Sequence, residues 1–191
     1  MRTQRIMLYA VIAAVGAYLG LPGLATAAKD TQVGVADQAF AMMAAEGGLA
    51  EVQLAKLAQD RASNPGVKQL AQRLVQDHTK ANQELMTLAK NRDMSLPDEV
   101  DDIHEDLAKL FSRLEGAQFD REFLRYQLMH HEKDVTSFGL QAKEGQDADL
   151  KAFAAKQLPV LQEHLKQVRE LVSQHASGKG GTTTERGTTS R

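Results

Sequence analysis

NRDMSLPDE, residues 91–99, is the stretch whose reading decides the fold. Asn91, Asp93 and Ser95 favour turns and caps, and Pro97 pushes Leu96 toward an extended backbone. A helix that reaches Asn91 therefore stops there. On both sides the chain is rich in Ala, Leu, Gln, Glu and Lys, and apolar residues recur at helical rather than alternating spacing. After the break a short helix is expected, about Asp98 to Leu114, with Ser95 as a cap. Asp98, Glu99, Asp101 and Asp102 then sit at the positive end of its dipole.

Working outward, the segment before the break reads as one helix from Pro65 to Asn91. Asn64 caps it, Pro65 occupies the first turn, and Leu70, Leu74, Ala81, Leu85 and Leu88 form its stripe. SNPG, residues 63–66, separates it from a helix over Val35 to Asp60 striped with Ala39, Met43, Ala50, Leu54 and Leu57. Beyond the break a helix over Ala117 to Glu144 ends at Gly145, with Leu124, Leu128, Val135, Phe138 and Ala142 on one face. A last helix follows Asp147 and runs to Ala176, and Pro159 is expected to kink it. Two short connections make two antiparallel hairpins, and the long one joins them as a crossover. The expected fold is all-α: a ferritin-like four-helix bundle over residues 35–176, with a short extra helix in the crossover.

Residues 1–28 read as an export signal. MRTQR is basic, IMLYAVIAAVGAYLGL is apolar, and Ala25-Thr26-Ala27 is a small-x-small cleavage site. The apolar run is short for a membrane span. The expected product is periplasmic or secreted, with no stable membrane insertion after cleavage. SGKGGTTTERGTTSR, residues 177–191, has no apolar side chain and reads as a disordered tail. The chain has no Cys, which excludes disulfides, thiolate metal sites and a lipidated N-terminus. Cleavage would remove Arg2 and Arg5 and leave the domain more acidic. With no basic, aromatic-laced stripe, a nucleic-acid partner is not expected. A protein partner and homo-oligomerisation stay open.

The helical stripes contain three interruptions. His78, His131 and His164 lie on three helices at similar distances from the hairpin turns, so they should share one level in the bundle. Glu51 of the first helix falls at that level too, and Glu46 lies about a turn and a half away. Glu51, His78, His131 and His164 are therefore the candidate metal ligands, for a single Fe, Zn, Mn or Cu ion. The competing reading is a metal-free polar layer that sets helix register. The di-iron signature Glu-x-x-His is absent: Val75, Leu128 and Leu161 stand three before the histidines. Asp120 is a distant fifth candidate. His104, His130 and His175 read as surface or rim residues, and Asp77 as a neighbour that does not share the face of His78. Gly47-Gly48 reads as a place where another helix packs closely. No catalytic triad or phosphate loop stands out.

GGLAEVQLAKLA, LVQDHTKANQEL, FDREFLRYQLMHHEKDVTSF and LPVLQEHL together resemble a family of secreted bacterial proteins with a ferritin-like domain of unknown function, often labelled outer-membrane proteins. The resemblance covers about Asp37 to Gln174. Glu51, Asp77-His78, Phe119-Asp120, His131 and His164 match its pattern, and Phe123 stands where that family often has Tyr. It implies a fold and a compartment and brings no activity. The alternating strands of a membrane barrel are missing here. The expectation is an exported, non-catalytic, stress-related envelope protein. A metalloprotein or oxidoreductase of the ferritin superfamily is the first alternative, and a protein-interaction module the second.

Overall fold

The computed structural model describes residues 33–177. The leader read over residues 1–28 and positions 178–191 of the tail lie outside them. Five α-helices follow in order: α1 Val35–Arg61, α2 Pro65–Asn91, α3 Asp102–Phe111, α4 Gly116–Glu144 and α5 Ala148–Ala176. Among the described residues there is no strand. No described helix is long and apolar enough to cross a membrane.

Local chemistry explains the helix ends. The Asn64 side chain accepts from the Gly66 amide, with Pro65 at the first helical position. The Asp147 side chain accepts from the Asp149 and Leu150 amides. Both satisfy amides that the helix itself leaves without acceptors. Helix α3 is shorter than the spacing suggested. Its cap is Asp101 rather than Ser95, because the Asp101 carboxylate accepts from both the amide and the ring of His104. At the end of α2, Asp93 takes a left-handed φ of 51°. That turns the chain so that the Met94 amide donates back to the Ala89 carbonyl, a C-terminal cap made without glycine. Helix α5 continues through Pro159.

The helices pair as α1 with α2 and α4 with α5, and the pairs meet along α1–α4 and α2–α5. The crossover starts at the far end of α2 and delivers α4 beside the α1–α2 turn. Every adjacent pair is therefore antiparallel. This is the ferritin-like connectivity expected. Helix α3 lies against α1.

Two buried aspartates tie the hairpins together. Asp120 of α4 accepts from the Ser63 amide at 3.0 Å, the Ser63 hydroxyl at 2.5 Å and the Asn64 amide at 3.0 Å. Asp37 of α1 accepts from the Gln141 side chain at 2.6 Å and the Gln146 and Asp147 amides at 3.1 and 2.7 Å. Each hairpin thus holds the turn of the other. Asp37 and Asp120 are as far apart in the chain as the caps Asn64 and Asp147, and as Glu51 and Asp134. The hairpins are related by approximate two-fold symmetry. Asp120 therefore serves the turn and not the polar centre.

The interior has three storeys. Phe119, Phe123, Leu54, Leu74 and Val168 fill the α1–α2 turn end, together with Phe111 from α3. Phe40, Leu85, Phe138, Leu150 and Phe153 fill the other end. Between them lies a buried polar layer of Glu51, His78, Gln127, His131, Asp134 and His164. Helix α1 departs from its expected stripe. Ala39 is exposed, and Phe40, Ala41, Ala45, Gly48 and Glu51 are buried. It packs against α2, α3 and α4, so it buries a broad arc rather than one seam.

Candidate metal centre

His78 of α2, His131 of α4 and His164 of α5 are all buried, and one ring nitrogen from each lies within 4.8 Å of the others. The rings pack edge-on or tilted, with centroids 5.3 to 5.7 Å apart. The outward nitrogens of His131 and His164 have partners that can only accept. His131 Nδ1 donates to the Gln127 carbonyl at 3.1 Å. His164 Nε2 donates to Asp77 Oδ2 at 2.8 Å. A neutral imidazole carries one N–H, so these bonds leave His131 Nε2 and His164 Nδ1 as two lone pairs, 3.3 Å apart. His78 Nε2 is buried with no hydrogen-bond partner.

No proton naturally fills that gap. Burial and the neighbouring imidazoles push His131 down to about 4 and His78 well below its usual value. Burial also lowers His164, although Asp77 opposes it. All three rings are neutral at pH 7. Two imidazole nitrogens on one tetrahedral zinc, each at roughly 2.0–2.1 Å, stand about 3.3–3.4 Å apart. The His131–His164 separation matches, and the nitrogens of the whole trio lie within 4.8 Å of one another. The outward bonds of His131 and His164 are the kind that orient metal-bound imidazoles.

Glu51 is at the same level but not in this trio. Its Oε2 accepts from Gln127 Nε2 at 2.7 Å. Its Oε1 faces His130 Nδ1 at 3.2 Å, and Asp134 Oδ2 lies 3.3 Å from that same nitrogen. None of these contacts to His130 Nδ1 is aligned as a hydrogen bond, and both Glu51 Oε1 and His130 Nδ1 are buried. Burial raises the Glu51 carboxyl to about 7, against the opposing pull of His130 and Gln127. A small cavity of about 30 Å³ touches Gly47, Gly48, Asp77, His78, Asn82, Asp134 and His164.

The model of DUF4142, a domain of unknown function, matches residues 22–171 of this chain. The chain belongs to the DUF4142 family. Among solved structures it is similar to the crystal structure of a DUF305 fragment from Deinococcus radiodurans, with a TM-score of 0.65 and 14% identity. That likeness covers 75% of this chain and 99% of the other, and it speaks to the fold alone. No curated protein matches. The chemistry of this DUF4142 domain must therefore be read from its own side chains.

Two residues set aside in the sequence belong to the layer. His130 is not a rim residue: its side chain is 11% exposed and stacks on Tyr126 at 5.3 Å. Asp77 does not share the face of His78, yet it reaches His164. The reason is common to both. Helix α2 packs against α1 and α5, and α4 packs against α5 and α1. Two neighbours on such a helix, about 100° apart, each enter a different seam. The pairs Asp77-His78 and His130-His131 do this at the same level. A signal for His130 did exist: Asp134 lies four residues on, on the same face. Gly47 and Gly48 explain themselves here. A methyl on Gly48 would run into the Asn82 amide, and one on Gly47 would come within 3.2 Å of the His130 ring. His104 is tied to Asp101, away from the layer.

Proposed function

We propose that this DUF4142 chain is an exported, ferritin-like metal-binding protein of the bacterial envelope, with His78, His131 and His164 as ligands of one transition-metal ion. The observation that carries the reading is the convergence of three buried imidazoles, two of them with lone pairs turned inward by their outer hydrogen bonds and the third with a ring nitrogen that has no hydrogen-bond partner. An all-imidazole set favours Zn or Cu over Mn, which prefers oxygen. The adjoining cavity leaves room for a water-sized fourth ligand and not for an organic substrate, which favours holding a metal over transforming a substrate. The basic-apolar-small leader supports export, with a periplasmic or secreted product. A role in envelope stress fits a protein that sequesters a redox-active or toxic ion.

The test is elemental analysis and Zn²⁺ or Cu²⁺ titration of protein purified without added metal. One tightly held equivalent is expected, lost in His131→Ala. A wild type that takes up neither ion at micromolar supply leaves the trio as a register-setting polar layer and ends the proposal.

Asp77 should act through His164. Asp77→Asn keeps the shape but weakens the acceptor, and affinity should fall about 10–100-fold without loss of the bound stoichiometry at saturating metal. Unchanged affinity in competition with a chromogenic chelator would show that Asp77 does not orient the ring.

A further inference from the structure

We propose that Glu51, His130 and Asp134 form a second cation site, separate from the three imidazoles, that takes a divalent ion of the Mn²⁺, Fe²⁺ or Zn²⁺ class. Glu51 Oε1 and Asp134 Oδ2 both approach His130 Nδ1, at 3.2 and 3.3 Å. The two carboxylates come from α1 and α4, at positions equivalent under the two-fold relation of the hairpins. Glu51 is wholly buried. Its Oε1 has no hydrogen bond, and neither has His130 Nδ1. The two atoms face each other as an ion pair without an aligned hydrogen bond, and a buried pair so placed costs stability unless something else completes it.

Charge points the same way. Two carboxylates face a single imidazole, and Lys133, a cation that also acts on His130, has an exposed side chain. With both carboxylates ionised, the cluster of Glu51, Asp134 and His130 carries a net negative charge. A divalent ion would neutralise it, and a set of two carboxylates and one imidazole is harder than the all-nitrogen trio. The second coordination layer is in place: Gln127 holds Glu51 Oε2, and the Tyr126 ring lies on the His130 ring. Access is available too, because Asp134 borders the same small cavity as His78 and His164. This site does not depend on the trio, since none of its ligands is shared.

The experiment is metal stoichiometry on the full chain after chelation, with Mn²⁺ followed by electron paramagnetic resonance and Zn²⁺ by elemental analysis after gel filtration. Wild type should take one Mn²⁺ and two Zn²⁺. Glu51→Gln and Asp134→Asn should each lose the Mn²⁺ signal and one Zn²⁺. His131→Ala should keep the Mn²⁺ and lose the other Zn²⁺. Glu51→Gln removes a buried charge and keeps the shape, so a folding defect is not expected, and helical circular dichroism checks it. A wild type without bound Mn²⁺, or Glu51→Gln binding Mn²⁺ within threefold of wild type, overturns the proposal. One Zn²⁺ that survives His131→Ala and vanishes in Glu51→Gln would uphold this site while removing the trio.

Discussion

Replacing Glu51 with Gln is expected to stabilise the metal-free protein above pH 7, by about 3 kcal/mol, and to leave it near wild type at pH 4.5. Burial raises the folded Glu51 carboxyl from 4.5 to about 7. The folded state therefore holds that proton more tightly than the unfolded chain. Its contribution to stability is present below pH 4.5 and is lost as pH rises through 7. His130, raised by Asp134 and Glu51 against its own burial, has the same sign: its contribution is full below the unfolded histidine value and fades as pH climbs past the folded one.

The trio runs the other way. His131 is held near 4 when folded and titrates near its usual value when unfolded. Its contribution is full above about pH 6.5 and falls by about 3 kcal/mol as pH drops to 4. His78 and His164 shift in the same direction. Between pH 4.5 and 6.5 the two groups oppose each other and flatten the wild-type profile. Glu51→Gln removes the main opposing contribution, so the variant should lose stability on acidification more steeply. Urea unfolding in chelator from pH 4.5 to 8 measures this. Equal stability of the two proteins at pH 8 would mean that Glu51 carries no burial penalty.

The second large effect concerns the turns. Asp120→Ala should cost about 2–4 kcal/mol, because it strips the acceptor from the Ser63 amide, the Ser63 hydroxyl and the Asn64 amide and replaces the buried, charge-assisted carboxylate by nothing. Asp37→Ala should cost a similar amount at the opposite end, through Gln141, Gln146 and Asp147. Asp120→Asn should fall between, since an amide keeps one acceptor but turns an NH₂ toward donors. The measurement is the urea midpoint at pH 7, with the slope checked for constancy. Losses under 0.5 kcal/mol in both alanine variants would show that the turns hold themselves.

Helices α2, α4 and α5 could be read within a residue or two because their ends are set locally: Asn64 with Pro65, Gly145 and Asp147 act within one turn of themselves. The short helix departs from its spacing for a related reason. Ser95 and Asp101 are both competent caps, and only the contact of Asp101 with the His104 ring selects the second. The level of the three histidines was also legible, because helical rise is uniform and the hairpin turns are easily found. The stripe of α1 was legible in part: Ala50 and Leu54 are buried as expected, but Ala39 is exposed and Phe40, Ala41, Ala45 and Gly48 are buried as well. Its small residues carry weak periodicity, and the number of neighbouring helices determines how wide an arc it buries.

The candidate centre divides along the same line. Periodicity and turn positions, both properties of the chain taken alone, put Glu51, His78, His131 and His164 at one height and the fold among crossover-joined bundles. They could not say which seam each side chain enters. That depends on which helices flank it, and a rotation of about 100° between adjacent residues suffices to send His131 to the trio and His130 to Glu51. Helix packing also set the tautomer of His164, because the Asp77 carboxylate captures its outer proton only once α2 and α5 are docked, whereas His131 donates within α4 to the Gln127 carbonyl. Local sequence spaced the polar groups, and the contact between helices separated them into two clusters.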